Sequence, residues 1–354
     1  MAVPPTGFSG EIEAAGLAGG AYGGQVTALD LKEILRAHLE IPWPPLFLWG
    51  PPGVGKSSVV RQVATAMGLE LVDLRMLLLD PVDLRGLPIP EGRKVIWAPP
   101  AFLPERGRGI LFLDELNAAP PLVQASVYQI VLDRKLGEYT LPDGWHIVAA
   151  GNRESDRSIA HTMPSALLSR FEHLELVPDL DSWRAWAFEA AIDPSVIAFL
   201  EFRPELLYRF TDRSKAFPCP RTWEMVSRVL PLPLSAAALE RVLEGCVGPG
   251  PATEFSLFRR NLAELPRLEE IAAGRDLLPS TPASGYAIVS GLVARYGRDP
   301  ARRARLLEYA VLLGRHGWRE LEVLLVRDLL RRDPALARDP GFEAWARENV
   351  GALG

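Results

Sequence analysis

Cysteine is nearly absent: the 354 residues contain two, Cys219 and Cys246, far apart and without Cys or His neighbours at metal-ligand spacing. That excludes a disulfide framework and a structural zinc module, and both thiols read as small buried apolar residues. The five histidines are scattered, with no pair at helical spacing. No apolar run has the length needed to cross a bilayer, so no membrane insertion is expected. Residues 1–24 lack a basic start followed by an apolar stretch, which excludes a secretory signal; their Gly, Ala and Pro content reads as a flexible tail. Excess positive charge is missing too. The formal net charge of −5 gives no general attraction to nucleic acid. A reduced, cytoplasmic setting follows by default. What is present, 48% apolar and 23% charged residues, suits a globular chain of two or three folding units.

From about Gln25 to Val177, short apolar runs alternate with amphipathic segments, the pattern of a parallel sheet covered by helices. Strands are expected at Leu46–Trp49, Leu69–Leu74, Gly109–Leu113, His146–Ala150 and Glu172–Val177. Helices are expected at Lys56–Met67, closed by Gly68, at Pro121–Leu132, and at Ser165–Arg170. After Val177 the strand pattern stops. Asp181–Ala191, Ser195–Phe202, Thr222–Leu230 and Ser235–Gly245 read as helices separated by prolines. Further helices follow, including Ala301–Leu313 and Trp318–Arg332. The arginines there (302, 303, 305, 327, 331, 332) are accompanied by acids and read as a solvated helix face before a nucleic-acid patch. The expected organisation is a tail (1–24), an α/β nucleotide-binding domain (25–178), a helical lid (179–263) and a C-terminal helical region (264–354).

Residues 50–57 read Gly-Pro-Pro-Gly-Val-Gly-Lys-Ser and fit G-x-x-x-x-G-K-[ST]. Glycines at this spacing let backbone amides close around a phosphate, and the helix beginning at Lys56 turns its positive dipole end toward the anion. The loop Gly50, Pro51, Pro52, Gly53, Val54, Gly55, with Lys56, Ser57 and Ser58, is the expected ATP/ADP cradle. Lys56 would reach the β- and γ-phosphates, and the Ser57 hydroxyl would serve Mg²⁺. A chance match in a chain this long is on the order of one per cent. The apolar strand before the loop and the helix after it supply the context that the motif requires.

About 60 residues further on, Ile110–Leu113 is an apolar strand ending in Asp114 and Glu115. An open parallel sheet delivers such residues to its ligand crevice. Asp114 would stand near Mg²⁺, and Glu115 would orient the attacking water. The next strand exits through Gly151-Asn152, where the Asn side chain can bond that water or the γ-phosphate, or serve simply as a turn residue.

These three elements resemble the Walker A, Walker B and sensor 1 of the AAA+ ATPases, and within them the MoxR-type group. Ser169-Arg170-Phe171 is similar to the family turn whose arginine reaches a neighbouring subunit's γ-phosphate, and Pro220-Arg221-Thr222-Trp223 resembles sensor 2. Asp83-Leu84-Arg85-Gly86 and Pro99–Leu103 are similar to the insert after the second strand. Leu136–Gly144 looks like the hairpin ahead of sensor 1. The likeness covers about Gln25–Leu243. It implies a sheet of order 5-1-4-3-2, a helical lid and a ring of subunits, usually six. One departure stands out: the MoxR-type group commonly has Pro after the sensor Asn, where this chain has Arg153.

Physical tests bear on both arginines. A guanidinium pairs in bidentate fashion with γ-oxygens, which suits Arg170; its alternative is a surface ion pair with Glu172. Arg221 sits at a helix start, where the dipole disfavours a cation and so argues for an external anion. Arg153 and Arg157 are rival trans-acting arginines. Trp97, Tyr139 and Trp145, in the insert and hairpin, could grip a threaded chain; packing is the commoner role of such aromatics.

The function expected is a ring-forming ATPase that remodels or matures a partner protein. The resemblance implies a partner with a von Willebrand factor A-type domain. A nucleic-acid-directed motor of restriction or helicase type is the alternative, disfavoured by net acidity. A nucleotide switch that hydrolyses little comes third.

Overall fold

A computed structural model describes residues 22–41, 44–153, 156, 161–210, 215–262 and 268–349. Most of the expected N-terminal tail lies outside these residues, as does Arg157. The described residues fall into two compact units: those up to Pro52 with Lys56–Val177, and Gly53–Gly55 with those from Pro178 onward.

The first unit holds ten strands: β1 (Gly24–Val26), β2 (Leu46–Trp49), β3 (Glu70–Arg75), β4 (Leu87–Glu91), β5 (Lys94–Ala98), β6 (Gly109–Asp114), β7 (Lys135–Leu136), β8 (Tyr139–Thr140), β9 (Trp145–Gly151) and β10 (Glu172–Leu176). Six form one parallel sheet of order β1-β10-β2-β9-β6-β3. The five strands expected from the sequence therefore stand in the order 5-1-4-3-2. β1 adds a sixth strand at one edge and corrects the tail expectation at Gly24; three residues, Gly-Gln-Val, are too short to carry a periodic signal.

The helices of this unit are α1 (Ala28–His38), α2 (Lys56–Ala66), α3 (Pro81–Arg85), α4 (Pro121–Asp133) and α5 (Ser165–Leu168). Alternation along the strands decides the layers. Phe47 and Trp49 of β2, Leu111 and Leu113 of β6, and Ile147 and Ala149 of β9 share one core with Val123, Val127, Ile130 and Val131 of α4. The intervening residues, Leu46, Leu48, Ile110, Phe112, Val148 and Ala150, are buried toward the other side, which α2 covers together with α1. Gly68, at φ 63°, turns the chain out of α2 in the left-handed conformation anticipated from its sequence. Both sheet faces are thus dry, and what remains accessible is the row of strand ends.

Two hairpins interrupt the alternation. β4 and β5 pair antiparallel, with Ile89 opposite Ile96 and Pro88 opposite Trp97. β7 and β8 form the short hairpin ahead of β9.

The second unit is helical: α6 (Leu180–Glu189), α7 (Pro194–Phe202), α8 (Pro220–Val229), α9 (Ala236–Val247), α10 (Pro249–Leu262), α11 (Leu268–Ala272), α12 (Pro282–Tyr296), α13 (Arg303–Arg315), α14 (Arg319–Arg332) and α15 (Pro340–Glu348). One apolar core runs from Trp183 and Phe199 through Trp223, Phe255, Ile288 and Leu325 to Trp345. Inside it Arg184 is fully buried, bonded to Glu201 and 3.1 Å from Asp328. The six C-terminal arginines were expected to form a solvated face beside acids: Arg331 is exposed, the other five are half-buried, and each has an acidic or carbonyl partner. Arg303 pairs with Asp333, Arg305 with Asp276, and Arg327 and Arg331 with Asp181. Arg302 and Arg332 donate to the carbonyls of Ala272 and Phe188.

Candidate active site

The site forms where β2, β9 and β6 end side by side. Trp49 lies in register with Gly151, and Leu113 with Ala149, so the residues leaving all three strands share one edge. β2 runs straight into the loop 50–55, and α2 begins at Lys56. Gly50, Gly53 and Gly55 all take positive φ (153°, 78° and 113°). At Gly55 nothing stands near a would-be Cβ, so the backbone conformation alone requires glycine; at Gly53 a Cβ would also lie 2.5 Å from Cys219 Sγ. The Lys56 side chain, 8% exposed, curls into the loop. Its Nζ donates to Gly50 O at 2.6 Å, to Pro51 O at 3.3 Å and to Asn152 Oδ1 at 2.9 Å. Val54 is buried and Pro52 partly so, whereas the Ser58 side chain is exposed.

The Ser57 hydroxyl donates to Asp114 Oδ2 at 2.9 Å. A hydroxyl and a carboxylate held together beside an anion-binding loop are a donor set suited to Mg²⁺, which takes few protein ligands and completes its shell with phosphate oxygens and water. Among the described residues no group of three or more His, Cys, Asp or Glu could hold a metal unaided. Glu115 follows in the left-handed region (φ 57°, ψ 36°), caps the short 3₁₀ turn Leu116–Ala118 and donates its N–H to Asp114 Oδ1 at 3.0 Å. For a residue other than glycine this costs on the order of 1 kcal/mol or more, a strain that clusters at functional sites.

Asp73 of β3 lies near Asp114 and was not singled out from the sequence. Burial first, and then the Asp114 charge, raise its pKa, against the lowering pull of Arg61, which donates to its Oδ2 at 2.9 Å. Its Oδ1 is buried without a hydrogen-bond partner.

Asn152 meets Lys56 through its side chain, and its carbonyl accepts from Asn117 Nδ2 at 2.7 Å. Asn117, three residues past Asp114 and 3% exposed, also went unnoticed in the sequence. Its signal was an amide within a strand exit that otherwise turns apolar.

The arginines separate. Arg153 is consumed within its own chain: it bonds Asp156 (2.8 Å) and Glu175 (3.0 Å), both nearly buried, and their hydrogen bonds and charges raise its pKa. The side chain of Arg170 is exposed and has no partner among the described residues; Glu172, its candidate ion-pair partner, lies 2.8 Å from His38 Nε2 instead. In the second unit Arg221 is exposed near the start of α8, and its amide donates to Gly53 O at 3.3 Å. The three aromatics also divide. Trp145 is fully buried and donates to Arg106 O, and the Tyr139 hydroxyl donates to Pro104 O at 2.6 Å, so both pack. Trp97 stays 39% exposed.

Residues 46–179 match the family described as "ATPase family associated with various cellular activities (AAA)". Among curated proteins, ATPase family gene 2 protein homolog B of Mus musculus is 32% identical over 155 residues, 39% of this chain and 20% of that one. Midasin of Giardia intestinalis is 30% identical over 136 residues, 36% of this chain and 3% of that one. The chain thus spans a fifth or less of the length of these relatives. Among solved structures, a mutant of Thermotoga maritima RuvB aligns at 14% identity with a TM-score of 0.35, over 91% of this chain and 86% of that one. NtrX from Brucella abortus in complex with ADP aligns at 16% identity, again with a TM-score of 0.35, over 92% and 68%.

Proposed function

With residues 46–179 forming an ATPase domain of the AAA family, we propose that this chain hydrolyses the β-γ bond of ATP in a subunit ring and spends that cycle on remodelling a partner protein, as MoxR-type ATPases do. The observation that carries the reading is the pair of contacts converging on one strand edge, Ser57 with Asp114 and Lys56 with Asn152. The loop amides and Lys56 hold the phosphates. Ser57 and Asp114 would hold Mg²⁺, which when bound would supply charge neutralisation at the phosphates. Glu115 takes the proton of the attacking water, and Asn152 fixes that water against the γ-phosphate. Arg170, exposed and unpaired, acts on a neighbouring subunit, and Arg221 acts as sensor 2.

Coupling to a partner falls to the insert carrying β4 and β5. Leu87, Ile89, Val95, Ile96 and Trp97 are exposed there, and Leu77, Leu78 and Val82 just before it are exposed too. Such a concentration of apolar surface marks a protein-contact element. The pairing of C-terminal arginines with acids gives little support to a nucleic-acid motor. A partner with a von Willebrand factor A-type domain remains the class to test.

Subunit mixing tests the ring. Glu115→Gln protein, blocked in its own site, keeps Arg170; Arg170→Ala protein keeps Glu115. Each alone should turn over ATP poorly, and a mixture should recover activity with a peak at intermediate ratios. Mixtures that never exceed the sum of their parts would refute a trans arginine at Arg170.

A further inference from the structure

The proposed hydrolysis needs Lys56 and Asn152, which face the γ-phosphate, to act in step with Glu115, which faces the water. The two groups stand on different strands, and the structure supplies a joint between them. Asn117 Nδ2 donates to the Asn152 carbonyl at 2.7 Å, while the Asn152 side chain accepts from Lys56. Asn117 belongs to the short turn that Glu115 caps, and Ala118 N closes that turn on Glu115 O at 3.0 Å. The Asn117 carbonyl in turn accepts from His161 N at 2.7 Å, at the head of the stretch leading into α5 and Arg170. Gly151 completes the fit, since a Cβ there would come 2.5 Å from Asn117 Oδ1.

We infer that Asn117 is a positioning residue that ties the phosphate-facing Asn152 to the strained turn of Glu115 and, through His161, to the segment bearing Arg170. Three backbone segments that are distant in sequence meet at this one buried residue, Asn152 on its side-chain amide and His161 on its main-chain carbonyl. A rigid hydrogen-bonded link of this kind gives a change at the γ-phosphate a route to the water-facing carboxylate. The energetic logic is specific. Removing the side chain leaves the half-buried Asn152 carbonyl without its donor and frees the left-handed Glu115 turn to relax. Nucleotide binding, which rests on the loop and Lys56, does not depend on this link.

The inference rests on the ATPase reading, and steady-state kinetics separate the two. Wild-type protein without ATP turnover would sink that reading itself; turnover in wild type lets Asn117 be judged on its own. Asn117→Ala should lower kcat about tenfold or more and leave the affinity for a fluorescent ATP analogue near that of wild type. In an Asn152→Ala background the same change should cost less, because the phosphate-facing side chain is already gone although the main-chain carbonyl that Asn117 holds remains. Should Asn117→Ala fold poorly, Asn117→Asp keeps the shape while losing the donor when ionised. Its kcat should fall at pH 8 to that of a variant without the Asn117 donor. Gly151→Ala, which crowds Asn117 Oδ1, should reproduce the kcat loss. A kcat within about twofold of wild type in Asn117→Ala, losses that multiply with those of Asn152→Ala, or wild-type kcat in Asn117→Asp at pH 8 would each overturn the assignment.

Discussion

Single residues here are held by partners that predict how they fail. Ser57 and Asp114 share one hydrogen bond, and in the proposed mechanism this pair would hold Mg²⁺. Ser57→Ala should raise the magnesium concentration for half-maximal turnover by about tenfold, and Ser57→Thr should restore it, measured by titrating Mg²⁺ at saturating ATP. Arg153 and Arg170 should part company in the opposite way. Without Arg153, the nearly buried carboxylates of Asp156 and Glu175 lose their counter-ion, and urea unfolding should report a loss of about 2–3 kcal/mol. Arg170→Ala, at an exposed side chain without a partner, should cost less than about 0.5 kcal/mol while abolishing turnover. The strand, loop and helix start around Gly50–Lys56 were legible in the sequence because glycines at this spacing lie between an apolar run and an amphipathic one. The Asn117 contact and the Arg153 pairing with Glu175 were not, because their partners lie 35 and 22 residues away in the chain.

At the scale of elements, β4 and β5 make a ribbon with two apolar faces. Residues opposite each other share a face, so Leu87, Ile89 and Ile96 lie on one side and Pro88, Pro90, Val95 and Trp97 on the other. Its edges are closed to further strands. Pro88 and Pro90 remove two donors from one edge, and the N–H of Trp97 on the other edge donates to Glu138 Oε2 at 3.3 Å. The ribbon therefore offers side-chain faces for contact and resists edge pairing. Replacing Ile89 and Val95 together with Ser should leave the melting temperature nearly unchanged, since both are exposed, and should reduce binding of a hydrophobic dye. The same prolines made the segment read as an insert without strands, because Leu-Pro-Ile-Pro carries turn signals and only the outward register makes it tolerable.

The buried hub of the helical unit supplies a pH test. Burial pushes Asp328 up to about 7 from 3.8, against the lowering effect of Arg184. Its folded pKa is raised, so between those values the folded state binds more protons than the unfolded one, and this group makes stability fall as pH rises from about 4 to about 7. Asp328→Asn should flatten that slope in denaturant titrations across the window; an unchanged slope would remove Asp328 from it.

For the molecule as a whole, the α/β unit was readable because a parallel sheet buried on both faces writes apolar runs at regular intervals. The sheet order came from the family resemblance, and the structure adds only the edge strand β1. The helical unit was readable as helices and less so as packing: the arginine pairings and the Arg184 hub arise from contacts between helices far apart in sequence. No helix among the described residues is long and apolar enough to cross a membrane. The proposed chemistry lies on one sheet edge, where β2, β6 and β9 end. The most direct measurement is equilibrium binding of a fluorescent ATP analogue to Lys56→Ala, alongside wild type and Glu115→Gln. Wild type and Glu115→Gln should bind with similar affinity, the latter with turnover reduced about a hundredfold or more, and Lys56→Ala should not bind measurably. Binding to Lys56→Ala at the wild-type affinity would contradict the phosphate cradle and every role assigned around it.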